Sequence, residues 1–248
     1  MSGHSKWATI KHKKGAADKA RGKLFAKLIK QVEVAARQGG GDPDMNPTLR
    51  TMYQKARDNS VPLDTIERAI KRGTGELEGV NYEQVTYEGY APGGVAVYVE
   101  TLTDNRNRTG PELRSLFTKN GGSMAEPGAV AWQFERTGLI LVPGSVEEDD
   151  LMLVAVDAGA DDIARDGDTW QVTCEPGSTM VVREALEAAG IAVESADLTM
   201  LPSSTVEVDS VETAKSVLRV IDALDDHDDV QEVYANFDIP DDVLQSIG

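Results

Sequence analysis

In Gly138-Leu-Ile-Leu-Val-Pro-Gly-Ser-Val-Glu-Glu-Asp-Asp150, an apolar run of strand length gives way to a Pro-Gly turn and then to a Ser-x-x-Glu capping box. The box predicts a helix to about Ala158, since the Ser hydroxyl and the Glu carboxylate satisfy main-chain N–H groups that a helix leaves unpaired. Two short strands follow, near Asp162–Ala164 and Thr169–Cys174. A helix over Thr179–Ala189 and a strand from Ala192 to Met200 complete the set. The order β-α-β-β-α-β is the split βαβ sandwich of the ferredoxin-like type.

Upstream, Gln84–Tyr90 and Val95–Leu102 alternate like strands about an Ala91-Pro-Gly-Gly94 turn. Thr109-Gly-Pro-Glu112 is a second capping box, opening a helix with Leu113, Leu116 and Phe117, and Val130–Phe134 reads as the next strand. This unit lacks a second α–β pair. Downstream of 204, one helix (Val211–Leu224) and one strand (Val230–Phe237) remain, too little for a domain of their own. The expected organisation is therefore an α/β domain of residues 77–137 plus 205–240, an inserted ferredoxin-like domain at 138–204, and a tail at 241–248.

Before residue 77 the period is helical. Leu24, Phe25, Leu28, Ile29, Val32, Ala35 and Ala36 share one face, and Gly39-Gly-Gly stops that helix. Asn46-Pro47 caps a second helix with Leu49, Met52, Tyr53 and Ala56 inward. Pro62 opens a third, with Leu63, Ile66, Ala69 and Ile70 inward. The fold class is α+β: a three-helix domain (19–76) behind a basic arm (1–18), then two ferredoxin-like α/β domains, one inserted into the other.

Charge divides at the same place. Residues 1–72 hold 16 Lys and Arg against 7 Asp and Glu, whereas residues 73–248 hold 9 against 35. The balances are +9 and −26 within a net charge of −17. A cationic module joined to a body that repels polyanions is the result. In the arm, Lys6, Lys11, His12, Lys13 and Lys14 surround Trp7. Such lysines neutralise phosphates and release counterions, and an indole stacks on an unpaired base. Trp7 has a second reading, as an anchor that docks the arm on the bundle. Lys19, Lys23, Lys27 and Lys30 follow as a helical stripe beside Arg21. Alone the stripe reads better as a solvated face; joined to the arm it reads better as polyanion binding.

A possible second contact comprises Tyr90, in the glycine-rich hairpin, with Arg106 and Arg108 of Asp104-Asn-Arg-Asn-Arg-Thr109. The two arginines stand near a helix start and suit a phosphate, or they pair with local acids such as Glu100 and Asp104. Asp225-Asp-His-Asp-Asp229 reads first as a solvated loop, with weak divalent-cation binding or a basic partner as the alternatives.

Enzyme signatures are missing. His4, His12 and His227 are scattered, no Cys or His pair has metal-ligand spacing, and neither a phosphate loop with Lys-Ser/Thr nor a G-x-S-x-G elbow occurs. No catalytic residue, metal, cofactor or small-molecule substrate is expected. The single Cys174 excludes an intrachain disulfide and reads as a half-buried thiol in a strand. With no membrane-length apolar run and no apolar signal after Met1, a cytoplasmic protein is expected.

Gly3-His-Ser-Lys-Trp7, Lys11-His-Lys-Lys14, Gly89-Tyr-Ala-Pro-Gly-Gly94, Thr103-Asp-Asn-Arg-Asn-Arg-Thr109 and Asn120-Gly-Gly122 resemble the hallmarks of the YebC/PmpR family. That family includes bacterial proteins named as probable transcriptional regulators and the mitochondrial translational activator of cytochrome c oxidase. The resemblance implies one helical and two α/β domains in a non-enzymatic, nucleic-acid-associated protein. Three functions stay open: a DNA-binding transcriptional regulator, a ribosome-associated factor that binds ribosomal RNA through the arm and relieves stalling, as at proline runs, and a protein-interaction scaffold.

Overall fold

The computed structural model describes residues 18–247. Three helices come first: α1 (Asp18–Gly39), α2 (Pro47–Asp58) and α3 (Leu63–Gly73). Leu28, Val32, Ala35 and Ala36 of α1 bury against Leu49 and Ala56 of α2 and Ile66 and Ala69 of α3. Asn46 caps α2, its side chain accepting from the Leu49 amide. Leu63, expected inward, is exposed at the start of α3. Gly73 lets α1 and α3 touch: a Cβ there would meet the Glu33 carbonyl and lie 2.7 Å from the Ala36 Cβ. The buried Glu33 carboxylate accepts from Arg72 of α3 at 2.9 Å and Arg37 of α1 at 3.2 Å, so its charge is paired where it is desolvated.

The first sheet contains β1 (Glu83–Ala91), β2 (Val95–Thr103), β3 (Ser123–Met124) and β9 (Val230–Ala235), in the order β3-β1-β2-β9. The β1–β2 turn holds Gly93 and Gly94 at φ +78° and +77°, a region unfavourable to side-chain-bearing residues. Val95, Val97 and Val99 face α4 (Arg106–Lys119) and α7 (Val211–Asp225), enclosing Leu113, Phe117, Val217 and Ile221. Each of these, taken out of water, contributes about 1.5–3 kcal/mol. The opposite face carries Ala96 and Tyr98, which pack with Phe134 and Tyr234. Both faces of β2 are thus covered, which explains its nearly continuous apolar run.

The second sheet is β5-β6-β4-β7, formed by β4 (Phe134–Pro143), β5 (Ala160–Asp166), β6 (Thr169–Cys174) and β7 (Ser195–Pro202). Helices α5 (Glu148–Asp157) and α6 (Thr179–Ala188) cover its inner face through Leu151, Ala155, Val182 and Leu186. Cys174 is fully buried there, and burial pushes its thiol up to about 11, far from nucleophilic use. A short parallel pair, β8 (Val206–Glu207) with β10 (Phe237–Asp238), and helix α8 (Asp241–Gln245) close the chain. Val243 of α8 joins the first core.

The fold is α+β, helices followed by antiparallel sheets. The second sheet has the β-α-β-β-α-β connectivity read from the sequence. The first keeps two helices on four strands but joins them β-β-α-β-α-β, because the Pro92–Gly94 turn pairs β1 directly with β2. Three local expectations differ. Val130–Phe134 is not a strand: Ala131–Gln133 form a 3-10 turn and Phe134 starts β4. The Thr109 box does not open α4, which begins at Arg106 under an Asn105 cap. Nor does Ser145 cap α5, whose first residue is Glu148.

Candidate nucleic-acid interface

Lys6, Trp7, Lys11, His12, Lys13 and Lys14 lie outside the described residues. Lys19 and Arg21 stand in the first turn of α1. The rest of the stripe is placed against the chain's own acidic loop. Lys23 Nζ donates to the Asp226 carboxylate at 2.5 Å and to its carbonyl at 3.0 Å. Lys27 Nζ donates to the Asp225 carbonyl at 2.6 Å and carboxylate at 3.1 Å. Lys30 Nζ donates to the Asp228 carbonyl at 3.0 Å, lies 3.7 Å from the Asp229 carboxylate, and sits 5.4 Å from the Tyr82 ring centre. The hydrogen bond to Asp226, with the charges of the loop, raises the Lys23 pKa above the ordinary lysine value.

The loop needs these cations. It begins at the C-terminus of α7, where main-chain carbonyls are unpaired and the helix dipole disfavours carboxylates. Three ammonium groups reach the carbonyls and the side chains together.

Arg108 serves the same loop. Its guanidinium donates to Asp229 at 2.6 Å and Asp104 at 3.0 Å. Thr109 Oγ1 donates to the same Asp229 oxygen at 2.8 Å. Burial alone would raise the Asp229 pKa; the bonds from Arg108 and Thr109 and the nearby Lys30 hold it below the ordinary carboxylate value. The Asp229 amide donates to His227 Nδ1 at 3.1 Å, leaving Nε2–H to donate to Glu112 at 2.9 Å. Of the two expected readings of Arg108, the pairing with carboxylates is the arrangement present. Arg106 is exposed in the first turn of α4, and among the described residues no ion pair engages it. Tyr90 is half-buried, and its hydroxyl donates to the Ala129 carbonyl at 3.4 Å.

Lys55 of α2 binds both sheets. Its Nζ lies 3.1 Å from Asp197 of β7 and 3.2 Å from Glu232 of β9. Burial opposes its charge, but those two carboxylates prevail and raise its pKa. It lines a cavity of about 330 Å³ at the meeting of the three cores, with Gln31, Glu100, Arg136 and Tyr234. Arg183 of α6 makes another tie, donating to Asp58 of α2 at 2.5 Å. Exposed cations that no ion pair engages among the described residues of the bundle are Arg57 on α2 and Arg68 and Lys71, three residues apart on α3. Sequence reasoning missed them because they form no run; the only signal was their place opposite the apolar face.

Among the described residues no helix is long and apolar enough to cross a membrane, and no group of three His, Cys, Asp or Glu side chains is arranged to hold a metal ion. The family model of the TACO1/YebC N-terminal domain matches residues 5–76, and that of the TACO1/YebC second and third domain matches residues 82–237. This chain belongs to the TACO1/YebC family. Among its TACO1/YebC relatives is a probable transcriptional regulatory protein of Halothermothrix orenii, 56% identical over 250 residues that cover 100% of this chain and 99% of the relative. Another, from Thermobifida fusca, is 57% identical over 249 residues with 100% of both chains covered. The crystal structure of a conserved hypothetical protein from Aquifex aeolicus superposes with a TM-score of 0.84 at 48% identity, over 95% of this chain and 98% of that one.

Proposed function

We propose that the chain acts without catalysis, as a regulator that contacts nucleic acid through its N-terminal end and favours folded RNA, as on a ribosome, over duplex DNA. The observation that carries this reading is the occupied stripe. A duplex reader lays a helix with free side chains into the major groove. Here Lys23, Lys27 and Lys30 are committed to the 225–229 loop. Other cations of the N-terminal end are the arm lysines, Lys19, Arg21 and the scattered Arg57, Arg68 and Lys71. These suit phosphate contacts that position without reading bases. The body, at −26, keeps a long duplex away and tolerates only entry of a narrow basic end.

The printed name of the relatives favours a second reading, promoter binding by the same cations. A DNase-treated lysate run on a low-salt gradient with and without RNase separates the two. Co-migration with ribosomes that RNase abolishes supports the RNA reading. Retention at the top in both gradients overturns it and makes promoter DNA the ligand to test. A scaffold that binds acidic proteins through the arm would show no salt-steep affinity for either nucleic acid.

A further inference from the structure

The helix layer of the second sheet has an outer face that no described element covers. On α5, Leu151 and Ala155 turn to the sheet, while Met152, Leu153 and Val156 are 46%, 75% and 58% exposed. They fall at i, i+1 and i+4, one side of the helix. Val181, on the outer side of the neighbouring α6, is 52% exposed. Acids surround these residues: Glu148, Asp149 and Asp150 at the start of α5, Asp157 at its end and Glu184 on α6, all exposed.

Among the described residues no ion pair engages those acids on the face. Residues 138–204 contain 14 Asp and Glu but only Arg165 and Arg183. Arg183 is bound to Asp58 and Glu187. Arg165 stacks 5.1 Å from the Trp170 ring centre and donates to the Gly144 and Gly167 carbonyls. Acids in the first turn of α5 favour its dipole, so they have a local reason. A helix side carrying Met, Leu and Val into water has none, and such patches mark binding surfaces.

The charge selects the occupant. A second copy docked face to face would set acid against acid, and an anionic lipid surface would be repelled. An amphipathic helix with Lys or Arg flanking an apolar stripe satisfies both parts of the face, and Met152 adapts to its shape. We propose that the outer face of α5 and α6 docks a lysine- and arginine-rich amphipathic helix of another protein. The site is remote in composition from the N-terminal cations and stands whether or not they bind RNA.

The test uses the full chain and a fluorescent Leu/Lys amphipathic peptide of roughly five helical turns. A control peptide keeps the lysines and replaces the leucines by serine. Leu153→Ser with Val156→Ser leaves the charge unchanged and touches only exposed positions. It should weaken the leucine peptide roughly tenfold or more. Asp149→Asn with Asp150→Asn and Asp157→Asn leaves the apolar side chains intact. It should weaken the peptide several-fold at low salt and flatten its salt dependence, and the control peptide should bind both variants and wild type equally poorly. Equal affinity of wild type and the serine variant for the leucine peptide would overturn the proposal in favour of plain charge adsorption. Self-association of the wild type in sedimentation velocity, lost in the serine variant, would assign the face to a second copy and overturn it as well.

Discussion

Lys27 and Asp225 meet twice: one ammonium group donates to both the carbonyl and the carboxylate of the same residue, 198 positions away. With Lys23 and Lys30 placed alike, the acidic loop occupies the positions that phosphates would take on α1. A polyanion approaching α1 would therefore have to displace the loop from one set of cations.

Neutralising the loop should expose the stripe. Asp225→Asn with Asp226→Asn removes the carboxylates that Lys27 and Lys23 hold and is expected to raise affinity for single-stranded RNA. The logarithmic salt slope should steepen by up to about 0.7 for each lysine released to phosphate. Fluorescence anisotropy across a salt titration reads both. An unchanged slope would mean that the lysines stay engaged elsewhere.

The arm makes the opposite forecast. Lys11→Ala with Lys13→Ala and Lys14→Ala should weaken binding and flatten the slope by about 2 units for three lost phosphate contacts on a single strand. The melting temperature should not move. Equal affinities for wild type and variant at every salt concentration would remove the arm from the interface.

Glu88 is a different kind of anchor. Its carboxylate, buried beneath the first sheet, accepts from the amides of Gly128, Val130 and Ala131 at 2.6, 2.6 and 2.8 Å. Burial opposes its charge, yet the three donors keep its pKa below the ordinary value. Glu88→Ala leaves those donors without their acceptor and should cost about 1–3 kcal/mol or more. Hydrogen exchange at the three amides should accelerate ahead of exchange in the β1–β2 core. Uniform acceleration across the sheet would point to global destabilisation instead.

Asp229 gives a pH test. Its pKa is depressed in the folded chain, so its contribution is present above the unfolded value, near 3.8, and is lost as pH falls through the lower folded value. Asp229→Asn should therefore lower the urea midpoint at pH 7, and the gap from wild type should shrink below about pH 3.8. A gap that is constant with pH would assign the loss to packing alone.

The helical bundle was legible because Leu28, Val32 and Ala35 repeat with the helical period and nothing distant competes for them. The split sheet was legible by exclusion, since one helix and one strand had no other place to pair. The start of α4 was misread for a physical reason. Thr109 has the spacing of a cap, but its hydroxyl is taken by Asp229 and Thr103, so Asn105 caps in its stead. The partners of the lysine stripe were missed because ion pairing across nearly 200 residues leaves no periodic trace. One signal was present: four aspartates within five residues beyond a helix C-terminus stand against the dipole and require cations.

That pairing also has an order in time. Synthesis proceeds from the N-terminus, and the bundle emerges long before the loop. The inserted unit, closed by β7 at Pro202, is complete while β2 still lacks its neighbour β9. Until residues 225–229 leave the ribosome, Lys23, Lys27 and Lys30 lack the carboxylates they meet in the finished fold. A nascent chain therefore presents a more cationic helix than the finished protein does, and the last fifth of translation changes what the first fifth is able to bind.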